Sequence, residues 1–484
     1  MDMNKIKINN SKFTILDALK VLNLNPIGYI IFENLDQKVL GILTEGDIRR
    51  LILKKISLNV DIKKYINKNF FFIDLEKINN LKKHQLLLKK IKFLPILENS
   101  KLKQIVTNSD RIPVMQPNIR GNELKYILNC IETNWISSQG SYVLKLENKF
   151  SKFHNLKYSL ATSSGTSALE LAIKSLSLPK NSKIIVPNLT FAAVINAVIN
   201  CGHKPIIMDV NADDWLLDIM QIKKNIPSNT KAVIFVHLYG ISKDLSVFYS
   251  FCKRNKIKLI EDCAEALGGK INNKKVGTMG DISIFSFFSN KLITTGEGGM
   301  TMFKNKNNYI LAKSIRDHGM DKSKRYWHTN IGNNYRLTNI QAAIGCAQME
   351  RITTFLNYRT KVNKWYKKYL SKNSYIQLHP EPQNNKKTIF TYWIYTILIN
   401  KFNNLKKDTI LRDALLLFLK NANIETRLIF YPLSDQPIYK KYKLSRDLTK
   451  ANNISYRGIS LPSSYNIKES EIKRICILIN QFVK

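Results

Sequence analysis

"DISIFSFFSNKLITTGEGGM" runs from Asp281 to Met300. An apolar, strand-like stretch ends at Ser286, a short loop delivers Lys291, and a glycine-rich turn follows. Upstream, "IKLIEDCAEALGG" (Ile257 to Gly269) ends a second apolar stretch at Asp262. Working outward, "LKYSLATSSGTSALELAIKSL" (Leu156 to Leu176) reads as strand, turn and helix, and "SKIIVPNLTFAAVINAVINCG" (Ser182 to Gly202) as strand, loop and helix. "KPIIMDV" and "KAVIFVHL" add further short apolar strands. Such strands, separated by helical stretches, predict a mainly parallel sheet covered on both faces by helices. Ligands of these sheets bind beyond the carboxyl ends of the strands, where Ser164, His237, Asp262 and Ser286 fall.

The chemistry follows from the residue types at those ends. A lysine and an aspartate, each just past a buried strand, are the two groups that a pyridoxal phosphate enzyme needs. The lysine forms the Schiff base with the cofactor aldehyde, and the aspartate keeps the pyridine nitrogen protonated so that the ring acts as an electron sink. The turn "ATSSGTSALELAI" suits the phosphate. Glycine at 165 lets the backbone approach an anion closely, while the first helical N–H groups and the Thr166 hydroxyl complete the cradle. Small polar residues cap most helices, so this turn gains weight only beside Asp262 and Lys291 in the same chain order.

Past about Thr353 the pattern changes to helices with scattered strands, which predicts a smaller C-terminal subdomain (about 353–484) beside a cofactor-binding part (about 113–352). Residues 1–112 read differently. "TILDALKVLNLNPIGYIIFENLDQKVLGILTEGDIRRLI" gives helix, strand (Gly28 to Phe32), turn, strand (Val39 to Leu43) and a helix after Thr44. "NNLKKHQLLLKKIKFLPILENSKLKQIVTNSDRI" repeats that order with strands Phe93 to Leu97 and Lys103 to Val106. Each half closes on Thr-x-x-Asp, Thr44 with Asp47 and Thr107 with Asp110. An internal repeat of one such unit predicts two copies packed together as an α+β domain. The segment resembles a pair of CBS modules. The resemblance implies that hydroxyl and carboxylate sit at a helix N-terminus and hold the ribose and phosphate of a nucleotide. Thr44 and Thr107 equally suit plain helix N-caps.

The chain has 484 residues, 44% hydrophobic and 23% charged, as expected of a globular protein with two or three domains. Lys+Arg 76 against Asp+Glu 36 gives a formal charge of +40. The lysines are dispersed, with no long basic block and no basic stripe interleaved with aromatics, so nucleic acid is not an expected partner. Lys, Asn and Ile share A/T-rich codons, so genome composition is one source that could supply this bias. No apolar run reaches the roughly 18 residues of a membrane span. The N-terminus lacks the apolar stretch of a secretory signal. The six cysteines form no CxxC pair and no Cys/His cluster, so no metal site is expected and the cytoplasm is the expected compartment.

Residues 113–484 resemble the DegT/DnrJ/EryC1 family of sugar aminotransferases on the fold-type I scaffold. The resemblance is carried by the SGTSAL turn, "EDCAEALGG", "SFFSNKLITTGEGGM", "RDHGMDKSKRYWHTNIGNNYRLTNIQAAIG" and "TRLIFYPLSDQPIY". It is nearest to the perosamine-forming branch, which aminates the C4 ketone of a GDP-linked 4-keto-6-deoxyhexose for surface polysaccharide. The resemblance implies that Lys291 bears the cofactor and moves the proton, and that Asp262 pairs with the pyridinium. Gly165, Thr166 and Ser286 would hold the phosphate, and Phe191 would stack on the ring. Asn334 and Arg336 would reach the phosphate of a neighbouring subunit in an obligatory homodimer, and His328 would approach the sugar nucleotide. L-glutamate is the implied amino donor. Glu265 stands where much of the family has Gln or His near the cofactor's phenolic oxygen, and a carboxylate there is repelled unless a proton is shared. Ser434 stands where many relatives place His.

Family members that act as dehydratases replace the lysine with histidine, so Lys291 favours transamination. UDP- and dTDP-linked keto-sugars remain competing substrates. A regulator that binds cofactor or nucleotide without turnover, and a basic nucleic-acid binder, are the alternatives from other classes.

Overall fold

The computed structural model describes residues 7–8, 13–24, 28–74, 93–107, 111–224, 226–321, 323–382, 387–442 and 448–484. The chain separates into two compact units, Met1–Arg111 and Ile112–Lys484.

The first unit holds two three-stranded sheets, β1 (Lys7–Ile8), β2 (Tyr29–Glu33) and β3 (Val39–Thr44), then β4 (Ile73–Asp74), β5 (Phe93–Glu98) and β6 (Lys101–Thr107). In each, the middle strand pairs parallel with the strand before it and antiparallel with the one after it. The strands fall within about two residues of their expected bounds, the ordinary error of boundary reading. The period-2 alternation of β2 explains how the unit packs. Ile30 and Phe32 join Ile15, Ala18 and Leu22 of the helix Ile15–Leu24 in one core. Tyr29 and Ile31, on the opposite face, pack on Phe93, Leu97 and Leu102 of the second half, with the Tyr29 and Phe93 rings stacked 3.9 Å apart. The helix expected between residues 79 and 92, and Asp110, lie outside the described residues.

In the second unit the main sheet has seven strands: β7 (Tyr158–Thr162), β8 (Lys183–Pro187), β9 (Lys204–Met208), β10 (Thr230–Val236), β11 (Lys258–Asp262), β14 (Ile282–Ser286) and β15 (Gly299–Phe303). The hairpin β12–β13 (Lys270–Ile271, Lys274–Lys275) stands apart. The order is β7-β15-β14-β11-β10-β8-β9. Only β15 runs against its neighbours among these strands. Central strands such as β10 are buried almost throughout, as their continuous apolar sequence requires. A second, four-stranded antiparallel sheet, β16 (Ile376–Gln377), β17 (Thr396–Ile399), β19 (Gly458–Ser460) and β18 (Arg427–Leu428), has its own core with the helices Ile352–Leu370, Leu405–Asn421 and Glu469–Val483.

Candidate active site

Four strands of the main sheet deliver the site. β11 ends at Asp262, β14 ends at Ser286, and β7 leads through Ser163 into the helix Gly165–Ser175. Their ends open into a cavity of about 370 Å³, lined among others by Gly165, Thr166, Asp262, Glu265, Ser286 and Lys291. Phe191 also lines it, from the loop after β8.

The phosphate end is built by close approach. Ser164 caps the helix, its hydroxyl accepting from the Ser167 N–H at 3.0 Å. A Cβ on Gly165 would lie 2.9 Å from the Ser286 Cβ and 3.1 Å from its Oγ, so no side chain fits between this turn and β14. Ser286 Oγ also accepts from the Phe288 N–H at 3.3 Å.

The other end carries charge. Lys291 Nζ lies 3.4 Å from Glu265 Oε1. Glu265 Oε2 accepts the Tyr239 N–H at 2.7 Å, and Asp262 Oδ1 accepts the Ala264 N–H at 3.0 Å. Burial drives each of these groups toward its neutral form. It pushes Asp262 up to about 7, helped by the nearby Glu265 and opposed by the Ala264 N–H and by Lys291. It raises Glu265 against the pull of Lys291 and lowers Lys291 against the pull of both carboxylates. A carboxyl so buried regains its charge beside a cation, and an amine so buried releases its proton readily.

This donor set fits pyridoxal phosphate. Gly165, Thr166 and Ser286 line the cavity at a helix N-terminus, which suits an anion, Asp262 is a buried carboxyl in need of a cation, and Lys291 offers a largely buried amine in the same cavity.

The other residues singled out in the sequence lie on the cavity wall or outside it. His237, at the end of β10, is buried on Glu261 (Nε2 to Oε2, 3.1 Å) and does not line the cavity. Glu261 also accepts the N–H groups of Gly277, Met279 and Gly280. His237, Glu261 and Cys263 are near enough to resemble a metal cluster, but this carboxylate is committed to holding a loop. His328 is exposed and tied to the His318 carbonyl at 2.9 Å, away from this chain's own cavity. Arg336 binds Asp317 at 2.8 Å and Asn334 Oδ1 at 3.0 Å, and neither Asn334 nor Arg336 lines the cavity of its own chain. Phe191 is 60% exposed and leans on Phe430, 5.6 Å between rings. Trp393, Tyr239 and Arg427 line the cavity unheralded. Trp393 and Arg427 come from the C-terminal subdomain, whose return to the sheet no local pattern announces. Tyr239, in "HLYG", enters from the turn after β10, which carries no local signature of a site.

Sheet and crevice together define an aminotransferase of fold type I. The chain belongs to the DegT/DnrJ/EryC1/StrS aminotransferase family, whose model matches residues 117–480. It is 39% identical to the GDP-perosamine synthase of Escherichia coli O157:H7 over 371 residues, covering 77% of this chain and 98% of that protein. It is 37% identical to the GDP-perosamine synthase of Vibrio cholerae over 373 residues, 77% and 99% of the two chains. Among solved structures, Helicobacter pylori PseC, an aminotransferase of pseudoaminic acid biosynthesis, superposes with a TM-score of 0.71 at 25% identity, covering 77% of this chain and 99% of its own. The family match begins after the first unit.

Proposed function

We propose that the second unit transfers an amino group from L-glutamate to the C4 ketone of a GDP-linked 4-keto-6-deoxyhexose, using pyridoxal phosphate. The observation that carries this is the 39% identity along nearly the whole of a GDP-perosamine synthase, joined to a cavity that Lys291, Glu265 and Asp262 line together.

When bound, the cofactor supplies an electron sink for loss of a proton from the amine-bearing carbon. Gly165, Thr166 and Ser286 would hold its phosphate, and Phe191 would pack on its ring. Asp262 would hold the ring's positive nitrogen and stabilise charge that develops there. Lys291, its proton affinity lowered by burial, carries the proton in each half-reaction. Burial raises the proton affinity of Glu265, against the pull of Lys291 and the Tyr239 N–H, which would ease its repulsion from the cofactor's phenolic oxygen.

A homodimer completes the site. Leu124, Leu128 and Ile131 form an exposed apolar stripe on the helix Glu123–Glu132, continued by Trp135 and Ile136. A stripe of this kind is covered in stable proteins. Asn334 and Arg336 are assigned to the partner's phosphate, and His328 to the sugar nucleotide.

The deciding experiment is the absorbance spectrum of purified protein before and after L-glutamate. Visible absorbance that bleaches with glutamate, and returns with a GDP-linked 4-keto-6-deoxyhexose, supports the reading. Return only with UDP- or dTDP-linked keto-sugars reassigns the substrate. No visible absorbance after cofactor is supplied overturns it.

The first unit is assigned a nucleotide-sensing role on its internal repeat and CBS-like order of elements. Thr44, Arg49, Arg50 and Phe71 line a groove of about 500 Å³ there. Against it, the Thr44 hydroxyl and the Asp47 carboxylate are already engaged with each other in a capping box, 2.7 Å apart. Thr14 and Asp17 form the same arrangement in the preceding helix.

A further inference from the structure

Lys291 Nζ lies 3.7 Å from the centre of the Trp393 ring, over its face. At that distance the ring's negative face attracts an ammonium group. The indole is fixed at its edge, where Nε1–H donates to the Asn290 carbonyl at 2.7 Å. The ring is therefore tied to the residue that precedes the lysine it faces. Trp393 is buried and stacks on Tyr239, 5.8 Å between centres and 18° between planes.

The backbone holding this indole is strained on both sides. Tyr392, its neighbour in the chain, has φ +49°, and Tyr239, which it stacks upon, has φ +52°. Neither is a residue that adopts left-handed backbone readily, and such strain persists only where surrounding contacts enforce it. Here the Trp393 N–H donates to the Tyr239 carbonyl at 3.2 Å, and the Thr391 N–H to the Gly240 carbonyl at 3.2 Å. A Cβ on Gly240 would meet the Tyr392 nitrogen at 2.7 Å. Two unfavourable turns are thus clamped together at the point that sets the indole over Lys291. The same Tyr239 aims its N–H at Glu265.

We infer that Trp393 is a positioning residue: its ring face seats the Lys291 nitrogen whenever that nitrogen is free of the cofactor, and sets where it points and how readily it yields its proton. This rests on Lys291 being the cofactor-bearing lysine. The charged groups that also face it are Glu265 and Asp262, with Glu297 and Arg427 elsewhere on the cavity wall and Arg359 in a second pocket that Lys291 also lines. The variants below leave all five in place.

The test measures the proton affinity of Lys291 in cofactor-free protein, by pH-dependent acetylation with peptide-level mass spectrometry. Trp393→Leu is expected to lower the titration midpoint of Lys291 by roughly one pH unit, and Trp393→Phe by less than half of that. Site-specific replacement of Trp393 by mono-, di- and trifluorotryptophan keeps the shape and weakens the ring's negative face. The midpoint is expected to fall stepwise along that series. A flat series overturns the inference, and it decides the matter alone if Trp393→Leu fails to fold. An equal shift in Phe and Leu variants also overturns it, because the Asn290 hydrogen bond rather than the ring face would then be responsible. In cofactor-loaded enzyme, the rate of the glutamate half-reaction should fall in the same order with glutamate affinity unchanged. A stepwise midpoint in protein that never takes up cofactor would preserve the seat and refute the function.

Discussion

Gly165 and Ser286, 121 residues apart in sequence, approach so closely that a Cβ on the glycine would stand 2.9 Å from the serine Cβ. The contact joins a helix N-terminus to a strand end, and neither is a flexible side-chain tip that could swing aside. Gly165→Ala must therefore push the turn away from β14, at a cost of about 1–3 kcal/mol. If the cofactor's phosphate is held at this junction, as proposed, the loss should appear mainly as affinity. The expected result is a cofactor dissociation constant raised at least about tenfold, measured by absorbance titration, with the far-ultraviolet spectrum unchanged.

Asp262 gives a pH dependence whose sign is fixed. Its folded-state pKa of about 7 lies above the ordinary carboxylate value. The folded, cofactor-free protein therefore binds more protons than the unfolded chain between about pH 4 and pH 7, and stability declines as pH rises through that window. Asp262→Asn removes the decline. At pH 8 the variant should be more stable than the parent cofactor-free protein by an amount on the order of 1–4 kcal/mol, with no gain at pH 4. Thermal unfolding at the two pH values reads this directly. If Asp262 holds the ring's positive nitrogen as proposed, the same variant should lose nearly all transamination, since a neutral amide carries no compensating charge.

How much of this was legible in the sequence depends on whether a residue acts through its neighbours in the chain. Lys291, Asp262 and Gly165 could be read because each stands at a strand-to-loop junction with its own local signature. Trp393 could not. It sits in "TYWIYTILIN", which reads as ordinary apolar strand, and reaches Lys291 only because the C-terminal part folds back over the sheet. His237 misled for the opposite reason, since a strand-end position does not decide which way a side chain turns. Glu261 accepts from it and from three backbone N–H groups, a requirement invisible before the loop 277–280 is in place. In the first unit the repeat was visible as periodicity, and Thr-x-x-Asp was open to two readings, a helix cap or a nucleotide contact. Its use at Thr14 as well as Thr44 is that of a helix cap.

The first unit can be tested without removing it. Thr44→Ala breaks the capping box and should cost about 1 kcal/mol of local stability whether or not a nucleotide binds. Arg49→Ala leaves the cap intact and removes a cation from the groove. If the groove takes a nucleotide phosphate, adenine or guanine nucleotides should raise the unfolding temperature of the full chain, and Arg49→Ala should reduce that shift while Thr44→Ala lowers the starting value. A null shift with every nucleotide in the parent protein would leave the groove without this role.

Arg336 provides the sharpest test of a shared site. In its own chain it is held by Asp317 and Asn334, outside the cavity that contains Lys291. If it serves the partner's phosphate, Lys291→Ala and Arg336→Ala lesions fall in the same site of a mixed dimer and leave the other site whole. Each variant alone should be nearly inactive. After the two are unfolded and refolded together in equal amounts, half of the dimers are mixed and each has one intact site. Activity should then return to about a quarter of the parent value. Size-exclusion chromatography with light scattering would confirm that dimers form. If mixing restores nothing while mixed dimers are present, Arg336 acts within its own chain, and the assignment of Asn334 and Arg336 to the neighbouring site fails.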